Sequence, residues 1–66
     1  MSPLIGRRLR TVRERRQLSQ RALAEQAGVT QVYLHELETG KKANPSLQIL
    51  EALAKALRVS ISELIG

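Results

Sequence analysis

The chain has 66 residues, no cysteine and one histidine, and it carries a formal net charge of +5. That size fits one small domain near the lower limit for folding alone, and the residue inventory excludes a disulfide, a thiolate metal site or a metal site built on His35 alone. Hydrophobic residues make up 42%, yet there is no Phe or Trp and a single Tyr, so the core must be Leu, Ile, Val and Ala, contributing only about 3–5 kcal/mol of stability.

From the N-terminus, Ser2 and Pro3 read as an N-cap followed by proline at the first helical position. Ile5, Leu9 and Val12 recur at helical spacing, which predicts a first helix over Pro3–Arg16. Ser19 and Thr30 are placed to cap a second and a third helix. Between them, residues 20–38 (QRALAEQAGVTQVYLHELE) describe two short helices joined by a tight turn. Crossing helices need a small residue where their backbones approach, and Ala24 supplies it. The turn needs a residue that tolerates positive φ just past the first helix, and Gly28 provides that. Leu23, Ala27, Val29, Leu34 and Leu37 offer the apolar positions that hold the pair to a core. This is a helix-turn-helix pattern, spanning about residues 19–38.

Gly40 is expected to stop the third helix, and residues 39–45 (TGKKANP) to form a loop before a new start after Pro45. Leu47, Leu50, Leu53, Ala54 and Leu57 give the fourth helix a long apolar stripe. Ser60 to Glu63 has capping-box form and opens a short fifth helix with Ile61, Leu64 and Ile65. No strand alternation, repeat or linker interrupts the pattern. The expectation is an all-α, compact five-helix bundle occupying residues 1–66 as one domain.

Charge is distributed unevenly. Arg7, Arg8, Arg10, Arg13, Arg15, Arg16 and Arg21 face only Glu14 in the first third, whereas the remainder is close to balance. A basic excess of this kind suits a polyanionic partner, although Arg is also a good former of solvated helix faces. No apolar run approaches the roughly 18 residues of a membrane span, and the N-terminus lacks the apolar core of a signal peptide. A soluble, cytoplasmic protein is the simplest expectation.

Three segments, IGRRLRTVRERRQLSQRALAEQAGVT, LETGKKANPSL and LEALAKALRVSISELI, together resemble the DNA-binding domains of the lambda repressor/Cro superfamily, the bacterial and phage regulators called XRE-type. The resemblance covers nearly the whole chain. It implies the five-helix lambda repressor-like fold and sequence-specific binding of operator double-stranded DNA as a homodimer, most simply as a transcriptional repressor. It also implies that the third helix is the recognition helix, lying in the major groove.

At 100° per residue, Leu34, Leu37 and Thr30 fall on the core side of that helix, with Val32 and Glu36 almost opposite and Gln31 at the leading end. Helix geometry thus nominates Gln31, Val32 and Glu36 as base-facing, and matching positions read bases in relatives. Gln31 can pair bidentately with adenine, and Val32 suits a thymine methyl. Glu36 can accept from cytosine N4, reject other bases, or pair with an Arg or Lys of its own chain. Tyr33 either meets a phosphate or sugar or is half-buried packing, and His35 is read as a solvent-facing residue in preference to a contact.

Gln20 opens the second helix, where backbone N–H groups and the helix dipole favour an anion. The resemblance implies that it touches a phosphate and braces Gln31, with Ser19 beside it, and that Lys41, Lys42 and Asn44 form a second backbone-contacting segment. It further implies a partly buried, structural ion pair between Arg13 and Glu38. Ile61, Leu64 and Ile65 are the candidate dimer surface, the alternative being that they only close the core. On a dimer, half-sites would lie about 34–36 Å apart.

An enzyme is not expected: there is no Gly-rich phosphate loop and no carboxylate pair near His35, and so small a domain has no room for a deep pocket. Neither a cofactor, a metal nor a small-molecule effector is indicated. The rival from another class is a protein-interaction module on the same fold, antitoxin-like or coactivator-like. A membrane-surface role for the first helix fits poorly, because its few apolar positions match a core stripe. The sequence is equally consistent with a complete minimal regulator and with a domain of a longer protein.

Overall fold

Residues 4–65 are described by a computed structural model of the chain. The expected Ser2 cap and Pro3 start lie outside them. Five helices follow one another: α1 (Leu4–Arg15), α2 (Gln20–Ala27), α3 (Gln31–Thr39), α4 (Leu47–Leu57) and α5 (Ile61–Ile65). The all-α expectation holds, with no strand among the described residues.

Local chemistry sets most boundaries. The Ser19 and Thr30 hydroxyls accept from the backbone N–H groups of Ala22 and Tyr33, each at 3.0 Å, which satisfies first-turn donors of α2 and α3. Ser46, not anticipated from sequence, does the same for Ile49 at the start of α4. At α5 the capping box forms reciprocally: Glu63 N–H donates to Ser60 Oγ and Ser60 N–H donates to Glu63 Oε1, both at 3.3 Å.

The C-terminal ends are closed by left-handed residues. Gly28 has φ 75°, and the N–H of Val29 returns to the Ala24 carbonyl at 3.0 Å. Gly40 caps α3 with φ 86°. Two further left-handed ends use residues that carry a Cβ, Gln17 after α1 and Arg58 after α4. Around each, the same backward hydrogen bond forms, Leu18 N–H to Arg13 O and Val59 N–H to Ala54 O.

Leu9, Leu23, Ala24, Leu34, Leu37, Leu53, Ala54, Leu57 and Leu64 form one continuous core. α1 packs between α3 and α5, while α2 packs on α3 and α4. Ala24 is buried at the helix crossing, as expected, and Ala27 and Val29 pack on the core from partly exposed positions. Three expectations need correction. Leu47 does not join the apolar stripe of α4; it sits at the first helical position, turned outward and 64% exposed. Thr30 is not on the core side of α3, because as the N-cap it lies outside the helix proper and is exposed. Leu64 is not part of a dimer surface: it is wholly buried, and Ile61 packs against the same core, leaving only Ile65 of the three well exposed.

Gly6 is the structural residue that sequence inspection passed over. It lies in α1 against the end of α3, where an added Cβ would fall 2.9 Å from the Glu38 carbonyl oxygen and closer still to that of Leu37. A glycine inside a helix is unfavourable by about 1 kcal/mol relative to alanine, and that penalty was the available signal of a close backbone approach.

Candidate nucleic-acid interface

The helix-turn-helix is anchored by a polar cluster at its base. Arg13 of α1 reaches Glu38 at the end of α3 through two parallel hydrogen bonds, Nε to Oε2 at 2.6 Å and Nη2 to Oε1 at 3.0 Å. Its remaining nitrogen donates to the Leu18 carbonyl at 2.7 Å. Both side chains are largely shielded from water, at 11% and 2% exposure. The Glu38 carboxylate holds the Arg13 guanidinium above its ordinary pKa, outweighing the opposing effect of burial.

Gln20, at the first position of α2, extends this cluster toward the surface. Its amide nitrogen donates to Glu38 Oε1 at 3.0 Å and lies 3.3 Å from Nδ1 of His35. Gln20 is thus engaged with Glu38 and His35. Gln20, Gln31, Val32 and His35 together line a shallow depression at the α2–α3 junction.

Beyond that depression, α3 presents its leading edge. Gln31 is exposed and Val32 is 70% exposed. Glu36 is less open: its side chain is 21% exposed and its carboxylate stands 3.5 Å from Lys41 Nζ. Of the roles open to Glu36, pairing within its own chain is thus realised in the structure. Tyr33 is half-buried and packs on the core.

Around this edge, Ser19 is exposed, with its hydroxyl engaged as the α2 cap. Lys41, Lys42 and Asn44 are exposed in the loop after α3, and the Lys42 N–H ties that loop back to the Glu36 carbonyl at 3.0 Å. Arg10 and Arg21 pair with Glu14 and Glu25 four residues on, in exposed contacts that contribute little to stability. Among the described residues no group of three or more metal-ligating side chains occurs, and no helix is long and apolar enough to cross a membrane.

The family model described as a helix-turn-helix domain matches residues 4–64. The immunity repressor protein of Bacillus phage phi105 is 40% identical over 62 residues, covering 94% of this chain and 42% of the phage protein. The N-terminal DNA-binding domain of SinR from Bacillus subtilis superposes with a TM-score of 0.93 at 37% identity, covering 98% of this chain and 94% of that one. SinR solved in complex with DNA matches with a TM-score of 0.91 at 39% identity, covering 94% and 98% respectively. The chain belongs to the lambda repressor-like, XRE-type helix-turn-helix family. It spans about half the length of curated relatives it matches, between 40% and 57% for four of them.

Proposed function

We propose that this chain is the DNA-binding part of a sequence-specific transcriptional regulator, a repressor that acts in the cytoplasm on operator DNA rather than an enzyme. The observation that carries this reading is the pairing of an exposed leading edge on α3, Gln31 and Val32, with a partly buried Arg13–Glu38–Gln20 cluster that fixes α3 to the body of the domain. A recognition helix discriminates bases only when its side chains are held in register with the groove. The relatives support the reading, since one is named an immunity repressor and another is solved on DNA.

In this reading Gln31 forms two hydrogen bonds to an adenine edge and Val32 meets a thymine methyl. Glu36 accepts from cytosine N4 only when it gives up its contact with Lys41. The backbone N–H groups at the start of α2, flanked by Ser19 and Gln20, take one phosphate. Lys41, Lys42 and Asn44 approach the next stretch of backbone, and Tyr33 packs on a sugar. Binding as a homodimer doubles the recognised sequence, with Ile65 the remaining exposed candidate on α5 for that contact. Selection of sites from a random duplex library tests the proposal. An enriched inverted repeat with half-sites about one helical turn apart supports it; no enrichment, with weak and salt-sensitive binding alone, favours a protein-interaction module.

A further inference from the structure

We propose that His35 is a specificity-determining DNA contact whose ring is set by Gln20 so that Nε2–H points an obligate hydrogen-bond donor at a base edge. The inference rests on the DNA-binding reading above and extends it to a residue that the sequence favours as solvent-facing over a contact.

Both carboxylate oxygens of Glu38 accept hydrogen bonds from Arg13, so toward Gln20 the group acts as an acceptor. The Gln20 atom 3.0 Å from Glu38 Oε1 must therefore be the amide nitrogen, and the orientation of that amide is fixed. The same nitrogen lies 3.3 Å from His35 Nδ1. An amide NH2 carries two hydrogens and no lone pair for accepting, so Nδ1 must be the acceptor and carry no proton. In the neutral ring the proton then resides on Nε2, the nitrogen on the far side from Gln20. His35 is exposed and lines the same depression as Gln31 and Val32, beside the edge of α3 assigned to the major groove.

A ring held in that way has one donor to offer. In the major groove guanine presents two acceptors, adenine and thymine present one each, and cytosine presents only a donor. His35 therefore favours guanine at one position of each half-site and rejects cytosine there. The chain Arg13–Glu38–Gln20–His35 thereby couples the body of the domain to a base-reading atom.

The test takes the site selected by the wild-type chain and measures its affinity, together with that of every single-base variant, at pH about 7.5 for wild type, His35→Ala and His35→Gln. The expected result is a loss of roughly five- to tenfold in His35→Ala on the selected site, with discrimination flattened at one position per half-site and unchanged elsewhere. His35→Gln, which can bring an amide N–H near the position of Nε2, should restore part of that preference. If His35→Ala leaves every ratio unchanged, the inference is overturned. It is equally overturned if affinity falls uniformly across all sequences and the salt dependence becomes shallower, because that pattern marks a phosphate contact. Failure of the wild type to select any site overturns the DNA-binding reading itself, a separate result. Unchanged thermal unfolding of His35→Ala verifies that the comparison is between folded proteins.

Discussion

Gly6 of α1 and Glu38 of α3 meet backbone to backbone: a Cβ on Gly6 would stand 2.9 Å from the Glu38 carbonyl oxygen. The same turn of α3 supplies the carboxylate that Arg13 grips from one side and Gln20 from another. The close helix approach and the buried ion pair are therefore one joint, and the position of α3 depends on it. Gly6→Ala should destabilise the fold by about 1–3 kcal/mol through overpacking, outweighing the gain of about 1 kcal/mol that alanine brings to a helix interior. Urea unfolding measures this, and an increase in stability would show that α1 and α3 can separate without penalty.

Arg13 makes three hydrogen bonds with its planar group, two to Glu38 and one to the Leu18 carbonyl. Lysine offers a single point charge and cannot reproduce that fork. Arg13→Lys should cost several kcal/mol, about 3–5 at the limit where the buried carboxylate loses its partner, which is comparable to the total stability expected for so small a core. The pKa of Arg13 is raised in the folded state. Its stabilisation is thus fully present below the ordinary arginine value and fades only as pH climbs through the folded value. Circular dichroism melts of Arg13→Lys should show a lowered Tm at every pH between about 5 and 9, and a Tm near wild type would contradict the bidentate account.

Arg58 ends α4 with φ 59° and ψ 43°. A residue with a Cβ is strained there by roughly 1–2 kcal/mol, offset in part by the greater unfolded-state entropy of glycine. Arg58→Gly should therefore raise stability, by up to about 1 kcal/mol, in a chemical-denaturation series. Gln17, at φ 56°, should respond in the same direction. A drop in both variants would mean that the side chains contribute more than their backbone strain removes.

Leu64 and Ile65 are adjacent yet should respond in opposite ways. Leu64 is wholly buried and Ile65 is 49% exposed. Leu64→Ala should cost about 2–5 kcal/mol, whereas Ile65→Ser should change stability by no more than about 0.5 kcal/mol. Sedimentation of Ile65→Ser then reports on association alone: a weaker dimer assigns the α5 contact, and an unaltered one moves it elsewhere.

Most of the fold was legible because its punctuation is local. Ser19, Thr30 and the Ser60–Glu63 box act within one helical turn, and Gly28 and Gly40 announce positive φ by lacking a Cβ. Gln17 and Arg58 adopt the same conformation without any such mark, so their left-handed geometry was not legible. Leu47 misled the periodic reading, because a residue in the first turn can share the helical phase of the stripe and still lie beyond the edge of the core. Leu64 was left open between a dimer surface and core closure because spacing within a five-residue helix does not reveal which side another helix covers. In the candidate site, the Arg13–Glu38 pair came with the family resemblance. The Gln20–His35 contact joins residues 15 apart in the chain and arises only from how α2 and α3 cross.

The central claim is that α3 reads bases through its exposed leading edge, and the most direct measurement is the affinity ratio between a selected duplex and a scrambled one at fixed physiological salt, for wild type and Gln31→Ala. The account predicts a ratio of about 10³ or more for the wild type, reduced roughly five- to a hundredfold by Gln31→Ala with no change in thermal unfolding. A wild-type ratio near one, or a ratio that Gln31→Ala leaves intact, would contradict it.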